Sequence, residues 1–128
     1  FKQKTAYEIY QCDWSSDVCS SDLAEVANTP KAREIGLMYR NFMPSDDGML
    51  FVFESRAGHC FWMRNTKIPL SIAFIQDDGR IVNIENMKPM TEDHHCPTEA
   101  VRYALEMNQG WFTKKGIGAG QTISGLPR

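Results

Sequence analysis

No stretch of this 128-residue chain approaches the roughly 20 consecutive apolar residues that cross a bilayer as a helix, so no transmembrane segment is expected in it. Basic runs are missing as well. Its 14 Lys and Arg are scattered among 16 Asp and Glu, for a net charge of -2, which gives little electrostatic reason to expect nucleic acid or an anionic membrane as a partner. Histidine is scarce, at three residues, and the four cysteines form no CxxC pair. The spacings that announce a closed zinc site are therefore absent. No internal repeat is visible.

What is present begins with an oddity. Residues 13–23 read DWSSDVCSSDL, polar and without helical or strand period. Read back into codons, this string and Lys2–Glu8 (KQKTAYE) resemble the two halves of a translated indexing primer of short-read sequencing libraries. Tyr10, Gln11 and Cys12 fall where that primer carries its barcode. The expectation is that residues 1–23 are a non-native tail outside the fold and that residues 24–128 form a single domain, with any native export signal missing from the chain. The tail holds Lys2 and Lys4 against Glu8, Asp13, Asp17 and Asp22, so the remainder is neutral. It also holds Cys12 and Cys19, which leaves Cys60 and Cys96.

Residues 23–27 alternate as the end of a strand. Thr29 and Pro30 then suit the N-cap and first position of a short helix, with Ile35, Leu37 and Met38 on its apolar side. Residues 41–48 have loop chemistry. Residues 49–53 (MLFVF) are apolar at every position, which predicts a strand covered on both faces. Further strands are predicted at 59–65 (HCFWMRN) and 70–76, the latter joined through Asp77-Asp78-Gly79 to a strand at 80–87; Asp-Gly between β-branched runs is a hairpin signal. Residues 88–100 form a long polar loop. At 101–107, Val101, Tyr103, Leu105 and Met107 alternate with Arg102 and Glu106, and a helix over 109–115 ends at Gly116. Residues 121–124 could close the sheet. The predicted class is α+β, mainly antiparallel β, a sandwich or squat barrel with one short helix near each end.

Four stretches carry a family likeness: Gly36-Leu37-Met38-Tyr39-Arg40, residues 48–53 (GMLFVF), residues 61–66 (FWMRNT) with Pro69-Leu70, and Gly110-Trp111-Phe112. Together they resemble the DUF192 family, a domain of unknown function, from about Ala24 to Ile123. The resemblance implies a small β-rich fold, often exported in bacteria, with no established activity. Family members usually have a fuller first strand than the one left here.

The chemistry-bearing residues fall in two groups. The first is His59, Cys60, His94, His95 and Cys96. Imidazole and thiolate suit zinc or copper, and an extended backbone before Pro97 would point His94 and Cys96 the same way, with His59 or Cys60 as further ligands. Alternatively, Cys60 and Cys96 form a disulfide, which would stabilise the fold by roughly 3 to 4 kcal/mol in the chain-entropy model. A Cys-His nucleophile would have to be assembled across the fold, and nothing in the sequence supplies its third member. The second group is Arg40, Trp62, Arg64 and Asn65, where an aromatic beside arginines could hold a polar ligand or an anion. The plainer reading is that Arg64 covers the Trp62 ring and Arg40 pairs with a carboxylate such as Glu106. Met49, Met63 and Met107 suit core filling better than copper. The expectation is an exported domain that binds an unknown ligand or protein partner, not an enzyme and without a cofactor. The competing reading is a periplasmic zinc- or copper-binding protein.

Overall fold

The computed structural model describes residues 6–13, 18–124 and 126, with side chains from Ala24 onward. Six strands and two short helices follow one another as β1 (Ala6–Asp13), β2 (Val18–Ala27), α1 (Pro30–Ile35), β3 (Asp47–Ala57), β4 (Leu70–Ile75), β5 (Ile81–Met87), β6 (Val101–Asn108) and α2 (Trp111–Lys115). The strands make one open sheet in the order β1-β2-β3-β6-β4-β5. Every pairing is antiparallel except that of β2 with β3. This is the α+β, mainly antiparallel class expected, with a short helix near each end, but the sheet neither closes into a barrel nor stacks on a second sheet: helices and loops cover its faces instead. Among the described residues no helix is long and apolar enough to cross a membrane.

The continuous apolar run of β3 is explained by a core on each side of the sheet. Leu50, Ala73, Ile75, Tyr103, Leu105 and Met107 face one way and pack with Trp111 and Phe112 of α2. Met49, Phe51, Ile72, Phe74 and Ala104 face the other and pack with Leu37, Met43 and Met63. Successive residues of β3, β4 and β6 thus alternate between two covered faces. Met49, Met63 and Met107 are all buried.

Local signals operate as their chemistry dictates. The Thr29 side chain accepts from the Ala32 amide at 3.1 Å, capping α1 with Pro30 at its first position. Gly116 closes α2 in the left-handed region at φ 73°, its amide donating to the Phe112 and Thr113 carbonyls. The Asp-Gly hairpin joins β4 to β5, with Gly79 at φ 88°. There an added Cβ would lie 2.3 Å from the Ile123 carbonyl oxygen, so only glycine fits.

Two expected strands are not strands. Residues 59–65 cross the face of the sheet instead of joining it. Their one ladder contact is the Phe61–His95 bridge, whose amides exchange bonds of 2.8 and 2.7 Å. A turn from Met63 to Thr66 with Asn65 at φ 55° then ends the extended run, while Met63 is buried in the core. The apolar alternation reflected packing onto a sheet, not membership of one. At the C-terminal end, residues 121–124 meet the sheet through the Arg80–Thr122 bridge.

The expectation that residues 1–23 stand outside the fold falls on a segment of which only the backbone of residues 6–13 and 18–23 is described, as β1 and the start of β2. In the described ladders, β2 pairs with β1 alone up to Asp22, and its pairing with β3 runs from Leu23 to Ala27.

Candidate functional site

A cavity of about 310 Å³ lies on the Phe51 face of the sheet, under α1 and the segment that crosses it. β3 supplies Phe51 and Phe53, α1 supplies Arg33 and Glu34, the crossing segment supplies Phe61 and Trp62, and β6 supplies Glu106. Gly36, ending α1 at φ 51°, lets the helix terminus come down on Phe51, whose ring would stand 3.1 Å from an added Cβ. The walls are aromatic: Phe61 meets Phe51 edge-on at 4.9 Å and Phe53 at 6.0 Å.

Glu106 is the unusual member. It sits on β6 in register with Met49 on one side and Ile72 on the other, both buried and apolar, and is itself only 4% exposed. No hydrogen bond or ion pair reaches its carboxyl from the described residues. Yet no fully occluded polar side-chain atom among them lacks a partner, so the Glu106 oxygens open onto the cavity. Burial pushes its pKa up from 4.5 to about 8, because the charged form loses hydration that nothing replaces. The carboxyl is therefore protonated over much of the neutral range.

Arg33 is the cation of this lining, and it is already engaged. Its Nη1 donates to the Val52 carbonyl at 2.9 Å and its guanidinium lies 5.2 Å from the centre of the Phe53 ring.

The residues anticipated from sequence are dispersed around this cavity. Trp62 lines it, 38% exposed, and the Arg64 guanidinium covers the Trp62 ring at 5.4 Å while its Nε stands 4.0 Å from Glu92. Asn65 donates to the Tyr39 hydroxyl at 3.1 Å. Arg40 pairs with Glu25, not Glu106: its second guanidinium nitrogen donates to Glu25 Oε1 at 3.1 Å, and this partner holds the Arg40 pKa up. The reason is positional. Arg40 follows α1 on the outside of the sheet beside β2, whereas Glu106 lies under the core of the same face.

Cys60 and Cys96 are joined, 36 residues apart in sequence with Cα atoms 4.3 Å apart. Their bond sits beside the Phe61–His95 bridge and ties the cavity wall to the loop of residues 88–100. The histidines do not converge. His59 stacks on Phe53 at 3.6 Å with Nε2 3.0 Å from the Ser55 carbonyl, His94 meets Trp62 edge-on at 6.1 Å, and His95 Nδ1 lies 2.8 Å from Glu85 Oε1. Among the described residues no three His, Cys, Asp or Glu side chains come together as a metal-binding group. Glu106 stood outside the expected site because the sequence sets it with Arg102 opposite the apolar face of β6 and offers it only as a partner for Arg40. The signal that could have revealed it was β3, whose unbroken apolar run already required both faces to be covered.

The DUF192 family model, described as an uncharacterized ACR, matches residues 15–125. The chain belongs to the DUF192 family. The matched span opens within the primer-like stretch, before Ala24. No curated protein matches this DUF192 chain. Two crystal structures share the fold closely. One, from Sinorhizobium meliloti 1021 and named a "putative transcription regulator", is 36% identical with a TM-score of 0.88, over 94% of this chain and 93% of that one. The other, a protein of unknown function from Novosphingobium aromaticivorans DSM 12444, is 30% identical with a TM-score of 0.84, over 91% of this chain and 83% of that one.

Proposed function

We propose that this DUF192 domain is a binding module that takes a small, largely apolar ligand into the cavity between α1 and the crossing segment. The observation that carries the reading is the unpartnered Glu106 carboxyl opening onto an aromatic-walled space. A buried polar group without a partner costs stability, and such groups concentrate where a ligand completes them. Convergence of a few polar groups, here Glu106 with Arg33 and Glu34, on an aromatic-lined cleft is the general composition of ligand sites, and about 310 Å³ is at the small end of their range. The Cys60–Cys96 bond supports the reading in two ways. It fixes one wall before any ligand arrives, which lowers the entropic cost of binding, and it suits an exported domain in an oxidising compartment. The zinc or copper alternative calls on the Cys96 thiolate, which that bond occupies.

The test is a fragment screen followed by amide chemical shifts on the isotope-labelled chain. Binding in the cavity should move the amides of Phe51, Phe61 and Trp62 together with that of Glu106. A screen whose hits all map elsewhere, or that gives no hit, would overturn the proposal.

A further inference from the structure

The composition of the same cavity narrows the chemistry of its occupant, provided that the cavity is a ligand site as proposed. We infer that the ligand is a small organic amine with an aromatic or branched aliphatic body, its ammonium group held against the Glu106 carboxylate and its body against Phe51, Phe61 and Trp62.

Three observations carry this. The carboxyl receives no donor from the described residues, so the strongest polar contact the cavity can offer is the one a ligand brings. Aromatic rings line the walls and give the body of the ligand a surface to pack on, and the Phe53 and Trp62 rings of this lining already hold the cationic Arg33 and Arg64 guanidinium groups at 5.2 and 5.4 Å. The charged groups of the lining are Arg33, Glu34 and Glu106, a net negative set once Glu106 ionises, and Arg33 is held on the Val52 carbonyl and over the Phe53 ring. A carboxylate ligand would therefore be buried beside Glu106 without a free cation to offset it. The cavity is small, which limits the body to about one ring or its aliphatic equivalent.

Ammonium binding requires the ionised carboxylate, so at neutral pH Glu106 must release its proton as the ligand enters. The groups facing it are consistent with a single titration. β3 and β4 flank it with Met49 and Ile72, α1 contributes Arg33 and Glu34, Arg102 on its own strand is engaged with the Phe53 carbonyl and the Tyr103 hydroxyl, and Cys60 of the crossing segment is disulfide-bonded. Affinity should rise as pH increases toward about 8 and fall again at higher pH, where the ligand's ammonium group loses its own proton.

The experiment is calorimetric titration of the full, oxidised chain with benzylamine, benzyl alcohol and benzoate, at pH 7 in two buffers of different ionisation enthalpy. Benzylamine should bind about tenfold or more tightly than the alcohol, benzoate most weakly, and the buffer dependence should show protons released with benzylamine only. In Glu106→Gln the preference for the amine should vanish while benzyl alcohol still binds. Equal affinity for amine and alcohol, or an amine preference that survives in Glu106→Gln, would refute the inference and leave the cavity reading standing. The proton count is measured on the unsubstituted protein, so zero release refutes the inference even if the variant does not fold. Binding of none of the three probes would overturn the cavity reading itself, and this inference with it.

Discussion

Replacing Glu106 by Gln should stabilise the protein, and by an amount that depends on pH in a calculable way. The carboxyl titrates near 4.5 when the chain is unfolded and at about 8 when folded, so between those values the native state binds a proton that the unfolded state has released. Stability therefore falls as pH rises through this window and is flat above it. At about 1.4 kcal/mol per pKa unit, the loss reaches about 3 kcal/mol at pH 7 and about 5 kcal/mol at pH 9. That is a large fraction of the 5 to 15 kcal/mol that holds a typical domain together. Glutamine has nearly the same shape and no charge, so it keeps the packing and removes the slope. Urea unfolding of both proteins at pH 4, 7 and 9 is the assay, with the difference between them read at each pH so that all other titrations cancel. The difference should be near zero at pH 4 and grow in favour of Glu106→Gln. Parallel profiles, or a variant less stable than the parent at pH 9, would show that Glu106 is solvated or partnered in solution and would remove the basis of the proposed site.

Other outcomes rest on the same geometry. Reducing the Cys60–Cys96 bond, which spans 36 residues, should lower unfolding stability by about 3 to 4 kcal/mol, seen as a lower urea midpoint in dithiothreitol than without it. Gly79→Ala should cost at least about 1 kcal/mol, because φ 88° is left-handed and the new Cβ meets the Ile123 carbonyl; thermal unfolding checks it. Arg40→Ala should change stability by less than about 1 kcal/mol, since its pairing with Glu25 is partly exposed, and a larger loss in urea would mean a structural role for that pair. Deleting residues 1–22, which removes edge strand β1 and the start of β2, should move the melting temperature by no more than about 2 °C, because the β2–β3 ladder runs over Leu23–Ala27, and a larger drop would show that the β1–β2 pairing stabilises the sheet.

Those parts of the fold written in local chemistry could be read from the residues. Thr29-Pro30 starts a helix and Asp78-Gly79 makes a hairpin through contacts a few residues apart. Residues 49–53 also announced their double burial, since no solvated face can be built from MLFVF. What escaped depends on distant chain. Residues 59–65 have the composition of a strand, and only the sheet beneath them decides that they lie across it. The Arg40–Glu25 pair is set by β2 running parallel to β3, a crossover whose register no local motif specifies. Glu106 escaped for a related reason: the alternation of β6 identifies two faces, but whether the second is wet depends on α1 and the crossing segment covering it. Trp62 alone of the anticipated ligand residues lines the cavity, and its aromatic character was the part of that reading independent of strand geometry.

The position of β6 within the sheet has a consequence for how the chain comes off the ribosome. This strand is the last of the six to be synthesised, yet it lies between β3 and β4, pairing Gly48 to Met107 on one side and Leu70 to Asn108 on the other. Until residues 101–108 emerge, two apolar strand edges are open toward each other with nothing to fill the gap. The nascent protein cannot complete either core early, and most of its length must wait unfolded for its final fifth. A chain built this way is slow to commit to structure, vulnerable to edge-to-edge association while it waits, and dependent on whatever shields it during that interval.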